Sequence, residues 1–264
     1  YMNYFKEILK NKKLIFQLGK NGFKNRFANT SLGAIWGFIQ PFIFILTYAI
    51  VFQFIIRIGY TSDIPYVVWF VPGIAMWMFI NDSILTISGS IKEYSYLVKK
   101  VLFPVDIIPM ISLVSTSVIG IFLIIVSMIV CIFMGFFPNI LLLLYILIAA
   151  YALIISITRL TSAISTLVPD FLQLISVLMQ LFFWFTPIIW NTDMVGDNEV
   201  LMNILKCNPF TYLVEGIRSC YSGNNFFVDF GWQYTIAFWV FVVLLFMWGN
   251  SVFNRAKKDF PDVL

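Results

Sequence analysis

The sequence predicts an all-α membrane protein with six transmembrane helices, an N-terminal amphipathic interfacial helix, and short re-entrant helices between spans five and six. Hydrophobic residues occupy 61% of the 264 positions and charged residues only 11%, whereas soluble domains are about 45–50% apolar and about 25% charged. One compact core cannot bury this excess, so lipid must solvate it, and backbone in lipid must satisfy its own hydrogen bonds. The apolar runs are unbroken rather than alternating, which indicates helices and not barrel strands.

Six stretches approach the ~20 apolar residues that a transmembrane helix needs. They are predicted at residues 33–57, 66–90, 106–135, 139–166, 172–190 and 232–253. The intervening residues 191–231 are broken by Pro209 and Gly223 and are too short for two more spans. We expect short re-entrant or interfacial helices there, because irregular backbone is tolerated at membrane depth only beside protein or water.

Lysine and arginine residues predict the orientation of a single transmembrane domain, residues 1–264. Seven precede the first span, three lie in the loop 91–104, and three follow the last span. The positive-inside rule therefore places both termini and this loop in the cytoplasm. The predicted division is 1–30 as cytoplasmic interfacial helix, 33–190 as spans one to five, 191–231 as extracellular re-entrant region, 232–253 as span six and 254–264 as cytoplasmic tail.

Mostly basic residues recur along the N-terminal segment at spacings of three and four, which is one stripe of a helix. The stripe consists of Lys6, Lys10, Lys13, Gln17, Lys20 and Lys24. Such a helix is typical of attachment to anionic lipid headgroups, and each basic residue near the surface contributes about 1 kcal/mol to that attraction. A generic positive-inside anchor is the alternative interpretation. Gly19 and Gly22 are expected to fray or bend the helix.

Signatures of catalysis are missing from the sequence. It contains no histidine, so Ser-His nucleophilic chemistry is excluded, and it shows no phosphate-binding loop or cluster of metal ligands. We therefore predict no catalytic residue, no metal site and no cofactor on this chain. The sequence leaves open whether Cys207 and Cys220, which flank one polar loop, form a disulfide.

Ionisable residues inside predicted spans are functional candidates, because a charge in lipid is costly. Arg159 in span four should face a hydrated path or a partner carboxylate. Asp82 in span two is the obvious partner, unless it caps a water-lined bend. Glu215 and Arg218, three residues apart on one predicted helix face, are interpreted as an exposed ion pair rather than a gate.

Aromatic residues are unevenly placed. Trp36 and Phe38 open span one, and the run Phe182–Phe185 lies nearer the middle of span five. Aromatic ring faces commonly stack on sugar rings, so these residues are candidates for a sugar path. Ordinary packing between helices is the alternative interpretation. Trp69 and Trp77 lie near span ends, where an interfacial belt is the simpler explanation.

Two short predicted cytoplasmic segments project from the membrane and are candidate contacts for a peripheral partner protein. The loop 91–104 is basic and aromatic and ends at Pro104. The tight turn 167–172 places Asp170 where it can cap span five. Simple connecting loops are the alternative for both segments.

Five short motifs occur in order along essentially the whole chain. They are Gly33–Pro41 (G-x-x-W-x-x-x-x-P), Gly73–Asn81, Lys100–Pro104, Phe183–Ile188 and Asn208–Phe210. Together they resemble the type-2 ABC exporter permeases that move lipid-linked polysaccharides across bacterial inner membranes. Within that family, Trp77–Asn81 and Phe103–Pro109 look most like the wall teichoic acid permease of Gram-positive bacteria, although O-antigen and capsule exporters share much of the pattern. Pro169 stands where such relatives usually have an arginine.

The resemblance implies a homodimer in the bacterial cytoplasmic membrane, bound to two copies of an ABC ATPase subunit that carries ATP and Mg. The cargo would be undecaprenyl-diphosphate-linked wall teichoic acid, or alternatively O-antigen or capsular polysaccharide, exported from the cytoplasmic side. Nucleic acid is not an expected partner. Residues 92–104 correspond to the family's coupling helix, and residues 191–231 to the helices that shape the outer exit.

Candidate site residues fall into three groups. For the substrate pathway they are Trp36, Phe38, Trp69, Trp77, Arg159, Phe182, Phe183, Trp184 and Phe185; for the approach of the lipid pyrophosphate, Lys24, Arg26, Lys99 and Lys100; and for coupling to the ATPase, Tyr96, Lys99, Phe103, Pro104 and Asp170.

Two other function classes fit the sequence less well. An ion-coupled secondary transporter is expected to hold carboxylates near the midplane, but Asp82 is the only acidic residue well inside a predicted span. A membrane-embedded transferase needs a cluster of polar catalytic residues near one interface, and the sequence shows none.

Overall fold

A computed structural model describes residues 2–28, 30–55, 60–61, 64–99, 103–196, 198–223 and 225–264. The described chain is almost entirely helical, as the predicted all-α membrane class requires. Its first part contains α1 (Met2–Lys10), α2 (Lys12–Arg26), α3 (Trp36–Ile50), the antiparallel pair β1 (Tyr60–Thr61) and β2 (Ile64–Pro65), α4 (Tyr66–Glu93) and α5 (Ser95–Val98). Its second part contains α6 (Ile108–Phe133), α7 (Ile140–Leu167), α8 (Phe171–Phe185), α9 (Glu199–Cys207), α10 (Pro209–Ser222), α11 (Phe226–Asp229), α12 (Trp232–Ala256) and α13 (Phe260–Val263).

Five helical segments of the described chain are long and apolar enough to cross a membrane. They are Gly33–Ile50, Tyr66–Glu93, Val105–Phe133, Ile140–Leu167 and Trp232–Ala256, which correspond to predicted spans one to four and span six. The first and third begin with short 3₁₀ turns that lead directly into α3 and α6. The chain is therefore an integral membrane protein.

The helix at the predicted fifth span, 172–190, is shorter than expected. α8 has 15 residues and ends at Phe185, so it extends about 22 Å against a hydrocarbon core of about 30 Å. Pro187 is the cause, because it has no amide proton and forces Thr186 into extended backbone at φ −91° and ψ 132°. Six complete membrane crossings therefore stay a prediction.

The predicted N-terminal stripe of mostly basic residues is present, but it spans two helices, α1 and α2. The prediction that Gly19 and Gly22 fray or bend the helix is wrong. All six stripe residues are exposed, while α2 continues through Gly19 and Gly22 without a break. Both glycines lie against neighbouring protein: a Cβ on Gly19 would lie 2.6 Å from the Val114 Cβ, and one on Gly22 would overlap the Tyr94 hydroxyl. The apolar face of α2 thus packs on α6 instead of facing lipid alone.

α4 is the centre of the bundle. It is buried on nearly all sides, and α6, α7 and α10 pack against it. Small residues let the helices approach closely, since the ring of Phe79 on α4 occupies the space beside Gly120 on α6. Gly249 of α12 likewise lies so close to α7 that an added Cβ would be 3.0 Å from the Leu160 amide nitrogen. This is the small-residue packing that membrane helices use.

The segment predicted to be re-entrant forms α9, α10 and α11. The Asn208 side chain caps α10 by accepting the Phe210 amide at 3.0 Å, and Pro209 takes the first helical position. Most residues of α10 are buried against α4 and α7. α10 therefore inserts into the bundle, and its charged residues lie in protein surroundings.

Gly19→Leu is expected to destabilise the fold, because its side chain would collide with the Ile111 carbonyl and Val114 of α6. Overpacking of this kind typically costs about 1–3 kcal/mol. The thermal midpoint of the detergent-solubilised protein measures the effect. Lys20→Leu, one position along and exposed, is the matched control; an equal effect of both substitutions would refute the close α2–α6 contact.

Candidate functional site

A half-open cavity of about 590 Å³ lies where α2 ends and α3, α4, α6 and α8 come together. Its walls combine three kinds of side chain: one ion pair, several amides and several aromatic rings. They include Arg26, Asp82, Gln40, Asn81, Gln180, Phe44, Trp77 and Phe183. The cavity is therefore a candidate ligand site within the helix bundle.

An ion pair between Arg26 and Asp82 forms the charged part of the cavity wall. Arg26 Nη1 donates to Asp82 Oδ2 at 2.9 Å, and Nη2 donates to Oδ1, so both carboxylate oxygens are engaged. Hydrogen bonding to Asp82 raises the pKa of Arg26 above its ordinary value, against an opposing effect of burial. Arg26 is also the last residue of α2, where the helix dipole favours a cation.

Amide and aromatic side chains form the rest of the relevant wall. Gln40 and Gln180 face the cavity from α3 and α8, and Asn81 lies on α4 beside Asp82. The rings of Trp77 and Phe183 are tilted against each other with centroids 5.8 Å apart. Amides that hydrogen-bond hydroxyl groups, next to apolar ring faces that contact CH groups, form a surface suited to sugars.

The cavity unites only part of the predicted substrate pathway. Trp77 and Phe183 line it, and Arg26 joins them from the group assigned to the pyrophosphate. Phe38 instead packs inside the helix bundle, with its ring centroid 5.7 Å from that of Phe23 and 4.8 Å from that of Phe122. The remaining aromatic members of α3 and α8 are exposed on the surface of the chain: Trp36, Phe182, Trp184 and Phe185.

Arg159 lies outside the cavity, and its predicted partner is wrong. Its side chain is 1% exposed and forms an ion pair with Asp106, while Nε donates to the Asn250 amide oxygen at 3.2 Å. The guanidinium also lies 3.6 Å from the centroid of the Phe253 ring. Lys257 Nζ completes the cluster by donating to the second Asp106 oxygen at 3.0 Å. Asp82 is unavailable to Arg159 because Arg26 holds it.

Arg218 and Glu215 pair as predicted, at 2.7 Å, but the expectation that they are exposed is wrong for Arg218. The Arg218 side chain is 3% exposed, and its guanidinium lies 3.4 Å from the centroid of the Trp69 ring. It donates to the carbonyls of Trp69, Pro187 and Ile188 at 3.0, 2.6 and 2.7 Å. No local sequence pattern predicts this site, because the carbonyls come from two segments that are distant in sequence.

Trp69 therefore has a different setting from the one predicted. It is 3% exposed and stacks on Arg218. Within the chain it is therefore a packing residue, and it does not line the cavity. Arg218 in turn donates hydrogen bonds to carbonyl oxygens that the break after α8 leaves without helical partners. Backbone groups at membrane depth need such partners within the protein.

The predicted coupling residues lie on short exposed segments. Tyr96 is 57% exposed on α5, a single turn within the loop 91–104, and Lys99 is exposed directly after it. Phe103 and Pro104 are half-buried where the chain enters α6. Lys100 lies outside the described residues, and Lys24 is exposed on the stripe of α2.

The predicted capping role of Asp170 is wrong. Asp170 is exposed and precedes α8, but its side chain accepts no capping hydrogen bond, because its backbone is already helical at φ −72° and ψ −13°. The two cysteines left open by the sequence are both free: Cys220 is buried in α10 and Cys207 is exposed at the end of α9.

Comparison with known proteins identifies the family. The sequence profile of the ABC-2 type transporter family matches residues 13–221, most of the chain. The chain belongs to the ABC-2 type transporter family. The match runs from α2 to α10, so it includes the cavity, Arg159 and Arg218.

Individual ABC-2 relatives are similar over nearly their full length. An O-antigen export system permease protein RfbA from Klebsiella pneumoniae is 22% identical over 255 residues, 95% of each chain. A protein of the same name from Myxococcus xanthus is 23% identical over 261 residues, 97% of each chain. As a member of this family, the chain is the membrane permease of a transporter.

Asp106→Asn is expected to destabilise this ABC-2 permease strongly, because it leaves the buried Arg159 guanidinium without its carboxylate. Breaking one partner of a buried pair typically costs about 3–5 kcal/mol. The thermal midpoint in detergent should fall, and the double variant Asp106→Asn with Arg159→Met should recover part of the loss. Asp170→Asn is the exposed control. Additive losses in the double variant would contradict the pairing.

Proposed function

We propose that the chain is the permease subunit of an ABC exporter for a lipid-linked polysaccharide of the O-antigen class. The cavity between α2, α3, α4, α6 and α8 carries this proposal, because a guanidinium, amides and aromatic rings all line it. A guanidinium suits a diphosphate, and amides and ring faces suit sugars. The similarity to O-antigen export permeases over at least 95% of the chain supports the same cargo class.

Wall teichoic acid linked to undecaprenyl diphosphate is the second candidate cargo. The stretch Trp77–Asn81, which carries the narrower resemblance to teichoic acid permeases, contributes Trp77, Met78 and Asn81 to the cavity wall. Both cargos share a lipid diphosphate and a polar polymer, so the same cavity serves either one. The names of the relatives favour the O-antigen class.

The proposed pathway begins at the cytoplasmic leaflet of the bacterial cytoplasmic membrane. Exposed Lys24 and Lys99, together with Lys100, attract the anionic headgroup toward Arg26. Gln40, Gln180 and the ring of Trp77 then contact the first sugars. Each sugar of the polymer offers similar hydroxyl groups and ring faces to the amides and aromatic rings of the cavity. Successive sugars can therefore move along the cavity and make the same kinds of contact.

Two copies of the chain complete the pathway in this proposal. Among the described residues, the buried positions of α3 are Gly37, Pro41 and Ile45, which lie along one edge of the helix. The faces of α3 and α8 that carry exposed aromatic residues would then meet across a two-fold axis, as closed symmetric oligomers do. Lipid contact is the competing explanation for the same faces.

Energy for transport comes from two copies of a partner ATPase, which holds ATP and Mg, while this chain has no catalytic role. Tyr96, Lys99, Phe103, Pro104 and Asp170 form the contact with that partner in the proposal. ATP favours the closed partner dimer, and this differential affinity shifts the permease toward its open state. Both termini lie in the cytoplasm, on the side of the partner.

Tyr96→Ala is expected to uncouple the transporter, because the exposed ring lies on α5 and is available to a peripheral partner. The permease is co-purified with its ATPase in nanodiscs, and ATP hydrolysis and polymer export are measured together. We expect export to fall at least about tenfold, the effect of losing roughly 1.4 kcal/mol of coupling.

Phe137→Ala is the matched control for this substitution. Phe137 is 74% exposed on the opposite side of the bundle, between α6 and α7, so its loss should leave hydrolysis and export unchanged. Failure of any ATPase to co-purify would refute the proposed function.

Gln40→Leu is expected to reduce export several-fold while the complex stays folded and hydrolyses ATP, since one hydrogen bond to the cargo is worth about 1 kcal/mol. Export of labelled polymer into inverted vesicles measures it. Gln17→Leu, exposed on the α2 stripe, is the control. Unchanged export in the Gln40 variant would argue against the cavity as the sugar path.

A further inference from the structure

The ion pair between Arg26 and Asp82 differs from the other two arginine clusters in its accessibility. The side chains of Arg159 and Arg218 are 1% and 3% exposed, whereas those of Arg26 and Asp82 are 34% and 28% exposed. The pair also faces a cavity of about 590 Å³ instead of filling the space between packed helices. A ligand in the cavity therefore reaches this guanidinium without unfolding any part of the bundle.

Charge balance in the cavity depends on this pair. Among the described residues that line the cavity, Arg26 and Asp82 are the charged ones. Arg26 is thus the lining cation, and Asp82 neutralises it when the cavity is empty. An incoming anion meets a site with no net charge and a carboxylate already bound to its natural partner.

The geometry of the pair imitates the binding of a phosphate group. Asp82 accepts from both terminal nitrogens of the guanidinium, which is the bidentate arrangement that arginine also uses for phosphate. The carboxylate has a second contact, since the Thr86 hydroxyl donates to Asp82 Oδ1 at 3.5 Å. Asp82 therefore keeps a polar neighbour one helical turn away if Arg26 turns to another anion.

We propose that Asp82 is an internal stand-in for the diphosphate headgroup of the cargo, and that the headgroup displaces it from Arg26. This inference rests on the proposed function for the identity of the headgroup. Asp82 then sets the affinity, because the headgroup must compete with a carboxylate that is always present. The same competition returns Arg26 to Asp82 once the cargo moves on, which keeps a strongly charged ligand from being trapped in the cavity.

A purely structural ion pair predicts a different outcome. In that case Asp82 and Arg26 would serve to hold the end of α2 against α4. Removing the carboxylate would then weaken the fold and reduce or leave unchanged the affinity for an anion. The stand-in role requires the opposite sign, namely tighter binding when the competing carboxylate is removed.

The test measures binding of undecaprenyl diphosphate to the full-length chain in neutral-lipid nanodiscs by native mass spectrometry. Asp82→Asn is expected to bind about tenfold more tightly, because a like charge beside the phosphate is removed. Arg26→Gln is expected to lose binding. Undecaprenol, which has no diphosphate, should bind all variants equally. Lys20→Gln, exposed on the same helix, is the matched charge control and should match the wild type.

Three controls keep the outcomes distinct. The double variant Arg26→Gln with Asp82→Asn should stay folded and bind no diphosphate, and Asp82→Ser replaces the Asn variant if that variant does not fold. Inorganic pyrophosphate as a competitor separates a headgroup site from one that also needs the lipid tail. Unchanged or weaker binding by the neutral Asp82 variants would overturn the stand-in role.

The binding assay needs neither the ATPase nor a polymer, so it separates this inference from the proposed function. Tighter binding by Asp82→Asn, together with absence of an ATPase partner, would support the stand-in and refute the exporter. A working exporter whose Asp82→Asn variant binds the diphosphate no more tightly than the wild type would support the exporter and refute the stand-in role. In the exporter, Asp82→Asn should also slow turnover several-fold, since the headgroup leaves Arg26 more slowly.

Discussion

The hydrocarbon core of the membrane requires every charge inside the bundle to be neutralised by protein, and much of this structure depends on that requirement. Arg159 reaches Asp106, Arg218 reaches Glu215 and three carbonyls, and Arg26 reaches Asp82. The Arg159–Asp106 and Arg26–Asp82 pairs join elements that are distant in sequence, and the carbonyls that Arg218 binds come from α4 and from the segment after α8. A buried charge without its partner costs several kcal/mol, so these contacts disfavour arrangements of the helices in which the charges are unpaired.

Accessibility separates these clusters into two kinds. The Arg159 and Arg218 guanidinium groups are buried against aromatic rings, 3.6 Å from the Phe253 centroid and 3.4 Å from the Trp69 centroid respectively. Such sites are suited to holding helices in place, because no solvent or ligand competes for the charge. The pair at Arg26 is open to a cavity, so the same chemistry there is exchangeable. One physical rule thus yields both buried ion pairs between helices and an accessible pair that faces a cavity.

A second cluster of buried apolar residues joins the loop 91–104 to α2, α6, α7 and α12. Leu97 and Val98 of the loop 91–104 are buried together with Ile15 of α2, Ile107 before α6 and Phe253 of α12. Tyr96 projects outward from the same turn. The loop therefore contacts the helices that hold Arg159 and Arg26 through packed side chains and not through a flexible linker. This continuity gives the proposed coupling loop a physical route to the cavity.

The sequence by itself determined the fold class and the positions of five long spans, because lipid leaves only helices to chains with unbroken apolar runs of about 20 residues. It also determined the exposed basic stripe, which is a local property of helical spacing. Only the tertiary structure decided which charges pair: Asp82, the partner predicted for Arg159, is bound by Arg26 of α2, and Arg159 pairs with Asp106. It likewise decided that Gly19 and Gly22 are contact sites rather than breaks, and that Arg218 is buried. These outcomes depend on which helix faces meet, and helices that are apolar all round carry no periodic signal of that choice.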